Sequence, residues 1–288
     1  MKSNIVASLV LLPDALEPET VTTQRIEYAT MLGSTHSAHI MTIQHNLSEV
    51  RGRIQTACVA AGRSIDTVQL LAVSKTQPLT AIQTAIDAGQ CHFGENYLQE
   101  ALEKILAFPQ ATWHFIGGIQ SNKAKEIATH FDYVHSVSSL RVARRLNTFR
   151  PQHSGKLKVF LQVNLAAEAS KGGVSRNELT DLVGETTQLP QLDLQGLMAI
   201  PPASLTGAAL NDYFAQLIDL QVGLESIAGA RLSQSSFGMS RDLEAAILAG
   251  STWVRIGTAI FGARRVQAAP NMSETQNTEQ TKESSRYG

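Results

Sequence analysis

Between Val68 and Arg264 the chain repeats one pattern eight times: a short strand candidate, then a longer stretch with helical spacing. The strand candidates are Val68–Ser74, Gln90–Phe93, Thr112–Ile116, Tyr133–Val137, Leu157–Asn164, Leu192–Ile200, Arg231–Ser235 and Thr252–Ile256. The intervening spacing predicts helices over Leu79–Ala88, Tyr97–Leu106, Asn122–His130, Ser139–Asn147, Arg176–Thr187, Ala208–Ile227, Asp242–Leu248 and Ala259–Arg264. Eight βα units fit a single closed (β/α)8 TIM barrel, an α/β fold, more naturally than an open sheet. A doubly wound sheet is the alternative. No Gly-x-Gly-x-x-Gly follows the first strand, which counts against a dinucleotide-binding version of it.

The flanks behave differently. Ile43, Leu47, Val50, Ile54 and Cys58 recur at helical spacing before Gly62, so an additional N-terminal helix precedes the regular count. Residues 1–40 hold no sustained period and read as a loosely ordered extension, with Met31 and Met41 as alternative starts. The run Ile5–Leu12 only faintly imitates a signal peptide; Pro13 and Asp14 stop it and no clear cleavage site follows. The barrel is expected over 41–266, and the polar stretch 267–288 is expected to be disordered.

Composition removes some classes of function. A net charge of -1 gives no electrostatic reason to expect nucleic acid or an anionic membrane as partner. No segment approaches the roughly twenty apolar residues of a membrane span. Cys58 and Cys91 match no metal spacing and read as buried thiols of a reducing, cytoplasmic compartment.

The chemistry collects at the predicted strand ends. Lys75 closes the run Leu70–Ser74, where a lysine drawn toward apolar surroundings can offer neutral amine to an aldehyde. A solvated strand-end lysine is the plain alternative. The seventh strand runs into Gly238-Met239-Ser240 and the eighth into Arg255-Ile256-Gly257-Thr258. Each loop pairs a glycine with a hydroxyl just before a helix, an arrangement that suits one anion; helix capping by Ser240 and Thr258 would also explain it. An imine-forming lysine, a phosphate cup and Arg255 together describe a pocket for pyridoxal 5'-phosphate. An arginine at the pyridine nitrogen would keep that nitrogen unprotonated and the ring a weak electron sink. A salt bridge in the barrel mouth is the alternative for Arg255.

Several ordered motifs carry a resemblance: Leu71-Ala72-Val73-Ser74-Lys75-Thr76, Phe93-Gly94-Glu95-Asn96-Tyr97, Trp113-His114-Phe115-Ile116-Gly117, Gln120-Ser121-Asn122-Lys123, Gly238-Met239-Ser240 and Val254 through Gly262. Together they resemble the YggS/PROSC family of pyridoxal phosphate homeostasis proteins over about Ile43 to Arg264. The resemblance implies a barrel of the alanine-racemase N-terminal type with Lys75 joined to the cofactor as an imine and Arg255 facing the pyridine nitrogen. It implies phosphate contacts from Ser240, Gly257 and Thr258, with a backbone contact from Met239. Asn96 either faces the cofactor or caps the next helix. His114 reads as a core histidine before a proton shuttle, and Lys171 as a solvated lysine before an aldehyde-binding one. Phe237 departs from the family pattern, standing where a methionine is expected, and could tighten packing beside the phosphate cup.

The racemases of this fold add a β domain that brings a second base, for which the chain leaves no room after its eighth unit. The expectation is therefore a carrier rather than an enzyme. It would act as a monomer or weak dimer that hands pyridoxal phosphate to apo-enzymes. A slow racemase or lyase using the same Lys75 is the competing class, and an aldolase-like barrel with a sugar substrate a third.

Overall fold

The computed structural model describes residues 42–168 and 171–262. Expectations for 1–40 and 267–288, and for a last helix continuing to Arg264, lie outside those residues. Eight strands, β1 (Gln69–Val73), β2 (His92–Glu95), β3 (Thr112–Phe115), β4 (Tyr133–Val137), β5 (Leu157–Val163), β6 (Leu192–Ala199), β7 (Gln234–Ser236) and β8 (Trp253–Ile256), close into a barrel in chain order. Every neighbouring pair is parallel, including β8 with β1. Helix α1 (42–60) comes first. The others are α2 (Leu79–Asp87), α3 (Leu98–Ala107), α4 (Ala124–His130), α5 (Leu140–Phe149), α6 (Arg176–Thr187), α7 (Gly207–Ala228), α8 (Leu243–Ala249) and α9 (Thr258–Phe261).

Two-residue alternation along each strand separates two cores. Residues facing the helices, such as Ala72, Phe93, Phe115, Val134, Leu197 and Val254, join a large cluster with the helix stripes. Leu71, Tyr133, Phe160, Met198 and Trp253 form a smaller cluster inside the barrel. Ile116 and Ile200 pack against that cluster, and the polar residues His114, His135, Ser236 and Arg255 are buried as well.

Helix α1 buries Ile43, Leu47, Val50, Ile54, Ala57 and Cys58 on one stripe. It reaches the end of α2 through Arg51 to the Ala88 carbonyl, α8 through Arg53 to Glu244, and α9 through Asn46 to the Ile260 carbonyl. Because α9 makes only a single turn, α1 completes the helical ring beside β8 and β1.

Two strands sit later than the apolar runs predict. β2 begins at His92 because the Gln90 side chain is committed to bridging the carbonyls of Leu70 and His92. It continues through Gly94, where any side chain would press on Leu71 and Ile116. β7 begins at Gln234 rather than Arg231, since Arg231 and Ser233 are exposed and only Leu232 of that stretch is buried. Cys58 is buried as expected, but Cys91 is exposed.

Candidate functional site

The seven residues singled out by the sequence all lie at the carboxyl ends of four adjacent strands, β7, β8, β1 and β2. Backbone contacts tie these ends together. The Arg255 amide donates to the Gly238 carbonyl at 2.9 Å, and the Ser74 amide to the Gly94 carbonyl at 3.0 Å. A Cβ on Gly257 would lie 3.3 Å from the Val73 carbonyl oxygen, so the β8 loop rests against the end of β1.

Lys75 follows β1 and, by alternation, shares the inward side of Leu71 and Val73. Leu71 is the register partner of Arg255, so Lys75 stands roughly 13 Å farther along the strand, nearer the mouth. The next residue is unusual. Thr76, a β-branched residue, has φ 63°. Its amide donates to the Glu100 carboxylate, and Lys104 binds that same carboxylate. Lys104 is 3% exposed and also donates at 2.8 Å to both the Ser74 carbonyl and Glu95. The Ser74 hydroxyl donates to Glu95 at 2.6 Å. Burial pushes the Glu95 carboxyl up, while Lys104 and the Ser74 hydroxyl pull it back. This cluster clamps the turn that carries Lys75, and the sequence reading missed it. The only local trace is that Lys104 lies i+4 from Glu100 on α3, a spacing that by itself reads as an ordinary surface pair.

Arg255 is buried inside the barrel. It donates to the Ser236 carbonyl, to Ser236 Oγ at 2.8 Å and to the Ala199 carbonyl at 3.0 Å. Among the described residues no carboxylate pairs with it, which sets aside the salt-bridge alternative. Burial lowers its pKa to about 10, against the pull of Asp242, so it remains a cation at neutral pH.

The two loops are not simple helix caps. α8 starts at Leu243 with Asp242 at the capping position, leaving Ser240 in the preceding turn. α9 is capped by Gly257, and Thr258 is its exposed first residue. Gly238 has φ 91°, and a Cβ there would meet Ala246 at 2.7 Å. The Met239 amide is already donated to the Asp242 carboxylate. An anion using that amide has to displace Asp242. Arg53 of α1 donates to the Ser240 carbonyl at 3.1 Å and pairs with Glu244, holding the turn from behind.

Asn96 is half-buried beyond β2, and its Oδ1 is buried without a partner. It does not cap α3, whose N-terminal flank is Tyr97. A Cβ on Gly117 would fall 2.2 Å from the Asn96 carbonyl oxygen, so the β3 loop packs directly on it. His114 is fully buried with both ring nitrogens bonded, to His92 at 3.1 Å and His135 at 2.9 Å. Lys171 is partly exposed and engaged: it pairs with Glu168 and donates to the Pro201 carbonyl at 2.7 Å. Phe237 is buried toward α7, with its ring 6.3 Å from that of Phe214, on the side of the strand away from the barrel interior.

The family model for the alanine racemase N-terminal domain matches residues 39–265. A pyridoxal phosphate homeostasis protein of Pseudomonas aeruginosa is 52% identical over 229 residues, covering 77% of this chain and 96% of the relative. One of Escherichia coli is 47% identical over 232 residues, covering 77% and 97%. The solved structure of PipY from Synechococcus elongatus with PLP bound matches with a TM-score of 0.68 at 38% identity, covering 76% of this chain and all of PipY. The alanine racemase of Corynebacterium glutamicum, at 15% identity and a TM-score of 0.59, shares the fold.

Proposed function

This chain belongs to the alanine racemase N-terminal domain family and, within it, to the pyridoxal phosphate homeostasis proteins, and we propose that it holds pyridoxal 5'-phosphate in the barrel mouth and releases it to other proteins. Bound there, the cofactor supplies an aldehyde that condenses with a primary amine and a ring that can accept negative charge. Lys75 provides the amine. Ser240 and Thr258 provide hydroxyls and Gly257 a main-chain amide for the phosphate, with Met239 contributing once Asp242 moves aside. Asn96 presents its amide to the ring edge.

The residues fit that group on two counts. Asn96 Oδ1 is a buried acceptor awaiting a donor, and Arg255 is a buried guanidinium held by neutral oxygens with no carboxylate paired to it among the described residues. Arg255 is the observation that carries the reading. A guanidinium that stays protonated donates to a ring nitrogen rather than accepting from it, which favours storage over carbanion chemistry. We therefore read the protein as a carrier rather than an enzyme. Apo-enzymes of the cytoplasm would be its acceptors. Among the described residues no helix is long and apolar enough to cross a membrane.

The test is borohydride reduction of protein loaded with pyridoxal phosphate, followed by peptide mass spectrometry. The adduct is expected on Lys75 and absent from Lys75→Ala; an adduct elsewhere, or none, overturns the assignment. Incubating loaded protein with amino acids in heavy water separates carrier from enzyme. No α-proton exchange above free cofactor is expected. Exchange at enzymatic turnover that vanishes in Lys75→Ala would make it a racemase or lyase.

A further inference from the structure

The barrel interior contains a chain of hydrogen bonds that the proposed function does not use. Arg255 Nη1 donates to Ser236 Oγ at 2.8 Å, and Ser236 Oγ lies 2.8 Å from His135 Nδ1. His135 Nε2 lies 2.9 Å from His114 Nδ1, and His114 Nε2 lies 3.1 Å from His92 Nδ1. The chain crosses the barrel from the Arg255 end to the start of β2, where half-buried His92 lines a depression of about 370 Å³.

Chemistry gives this chain a direction. An arginine can only donate, so Ser236 Oγ accepts from it and keeps its own hydrogen to give away. His135 Nδ1 is the acceptor found for that hydrogen. His135 then carries its proton on Nε2 and donates to His114 Nδ1. His114 likewise donates from Nε2 to His92 Nδ1. Reversing the order would leave the Ser236 hydrogen buried without an acceptor. The two inner rings stay neutral, because burial holds both far below the usual histidine range.

We propose that Ser236 and His135 are positioning residues for Arg255, and that His114 and His92 extend this one-way chain so that the charge state of His92 is felt at the cofactor end. The second part rests on Arg255 facing the cofactor; the chain itself does not. Adding one proton makes His92 a donor at both nitrogens. Its Nδ1–H must then point at His114 Nε2, which shifts the protons of His114 and His135 to their Nδ1 atoms. His135 Nδ1–H now points at Ser236 Oγ, and the hydroxyl hydrogen loses its acceptor. The count is balanced: one proton enters, and two rings exchange tautomers. The groups facing His92 are His114, Trp253, Asp132 and Lys158. Asp132 favours the charged ring, while burial and Lys158 oppose it.

Nitrogen-15 NMR of histidine-labelled protein, without added cofactor, tests the chain. The expected result at neutral pH is the Nε2–H tautomer for His114 and His135. An Nδ1–H tautomer or a charged ring at His135 would overturn the chain. Cofactor titrations then test positioning. Ser236→Ala and His135→Phe should each weaken pyridoxal phosphate roughly tenfold, as loss of a hydrogen bond to a charged group implies. His135→Asn retains an acceptor oxygen for Ser236 and should restore most of that affinity. His92→Phe should bind like wild type at about pH 8 yet lose less affinity than wild type on acidification below about pH 6. Identical acid profiles would sever His92 from the site, and unchanged affinity in both Ser236→Ala and His135→Phe would refute positioning. Should Ser236→Ala not fold, the tautomers and the His135→Asn and His92→Phe profiles still decide. If the reduced adduct falls on Lys75 and these variants are inert, only this inference fails; if no adduct reaches Lys75 while the tautomers hold, only the cofactor assignment fails.

Discussion

Two buried polar systems meet the barrel mouth, one from outside the sheet and one from inside. Outside, between β1, β2 and α3, Lys104 is held by Glu95, Glu100 and the Ser74 carbonyl. Inside, three imidazoles and a hydroxyl lead to Arg255. The outer system has both signs of charge and closes on itself. The inner one has a single cation and neutral rings, and it ends at Arg255 near the carboxyl ends of the strands without closing on itself. A closed ionic cluster can fix a backbone turn, whereas an open chain keeps capacity for a ligand. The comparison separates what holds the Lys75 turn from what is left open toward the barrel mouth.

The largest expected effect breaks the outer system. Lys104→Ala leaves Glu95 buried with its cation gone, beside an already unpartnered Oε2. That should destabilise the protein by about 3–5 kcal/mol in denaturant unfolding. A loss under about 1 kcal/mol would mean that Glu95 is neutral in the native barrel and the cluster is not ionic.

The next effect belongs to the inner system and depends on pH. Burial lowers the pKa of His114 and His135 well below the ordinary 6.5. The unfolded chain therefore binds more protons than the native one at acid pH. The stability held in these rings is complete above 6.5 and drains as pH falls toward the native values. Two rings kept neutral lose together about 2.7 kcal/mol per pH unit on that limb. Glu95, pushed up by burial, pulls the other way. Unfolding midpoints should fall between about pH 7.5 and 5.5 in wild type and fall less in His114→Gln. Equal slopes would mean that His114 is charged or accessible, contrary to the one-way chain.

The same contrast explains what was legible in the sequence. Six strands were readable close to their bounds because each carries apolar residues facing two cores, whereas β2 (His92–Glu95) and β7 (Gln234–Ser236), largely polar, were found only with shifted bounds. The positions of Lys75, Arg255 and Ser240 at strand ends were readable because they close or follow predicted strands. Lys104, His135 and Ser236 were not. A lysine at i+4 from a glutamate reads as a surface pair on a helix, and nothing local shows that β1 will cover it. His135 lies inside a fully buried strand, where its partners His114 and Ser236 are 21 and 101 residues away in sequence. Polar networks assembled by barrel closure leave no period to read. Where two elements met as short loops, as at Ser240 and Thr258, the capping alternative failed because Asp242 and Gly257 take those positions.

The smallest expected effect probes a third support, between α1 and the Ser240 turn. Arg53 and Glu244 form a bidentate pair at 2.7 and 2.9 Å, but their side chains are 37% and 45% exposed. Solvent screens such a pair, so Arg53→Ala should cost less than about 1 kcal/mol of stability. The Arg53 contact to the Ser240 carbonyl is what the substitution should reveal in binding. Without it the turn gains freedom that must be lost again when phosphate is held, and affinity for pyridoxal phosphate should drop about two- to threefold by titration. Lys104→Ala and Arg53→Ala thus separate along two measurements, the first mainly in unfolding and the second mainly in cofactor affinity. If Arg53→Ala leaves affinity untouched, the Ser240 turn is set by Asp242 and Gly238 alone, and α1 serves only to close the helical ring.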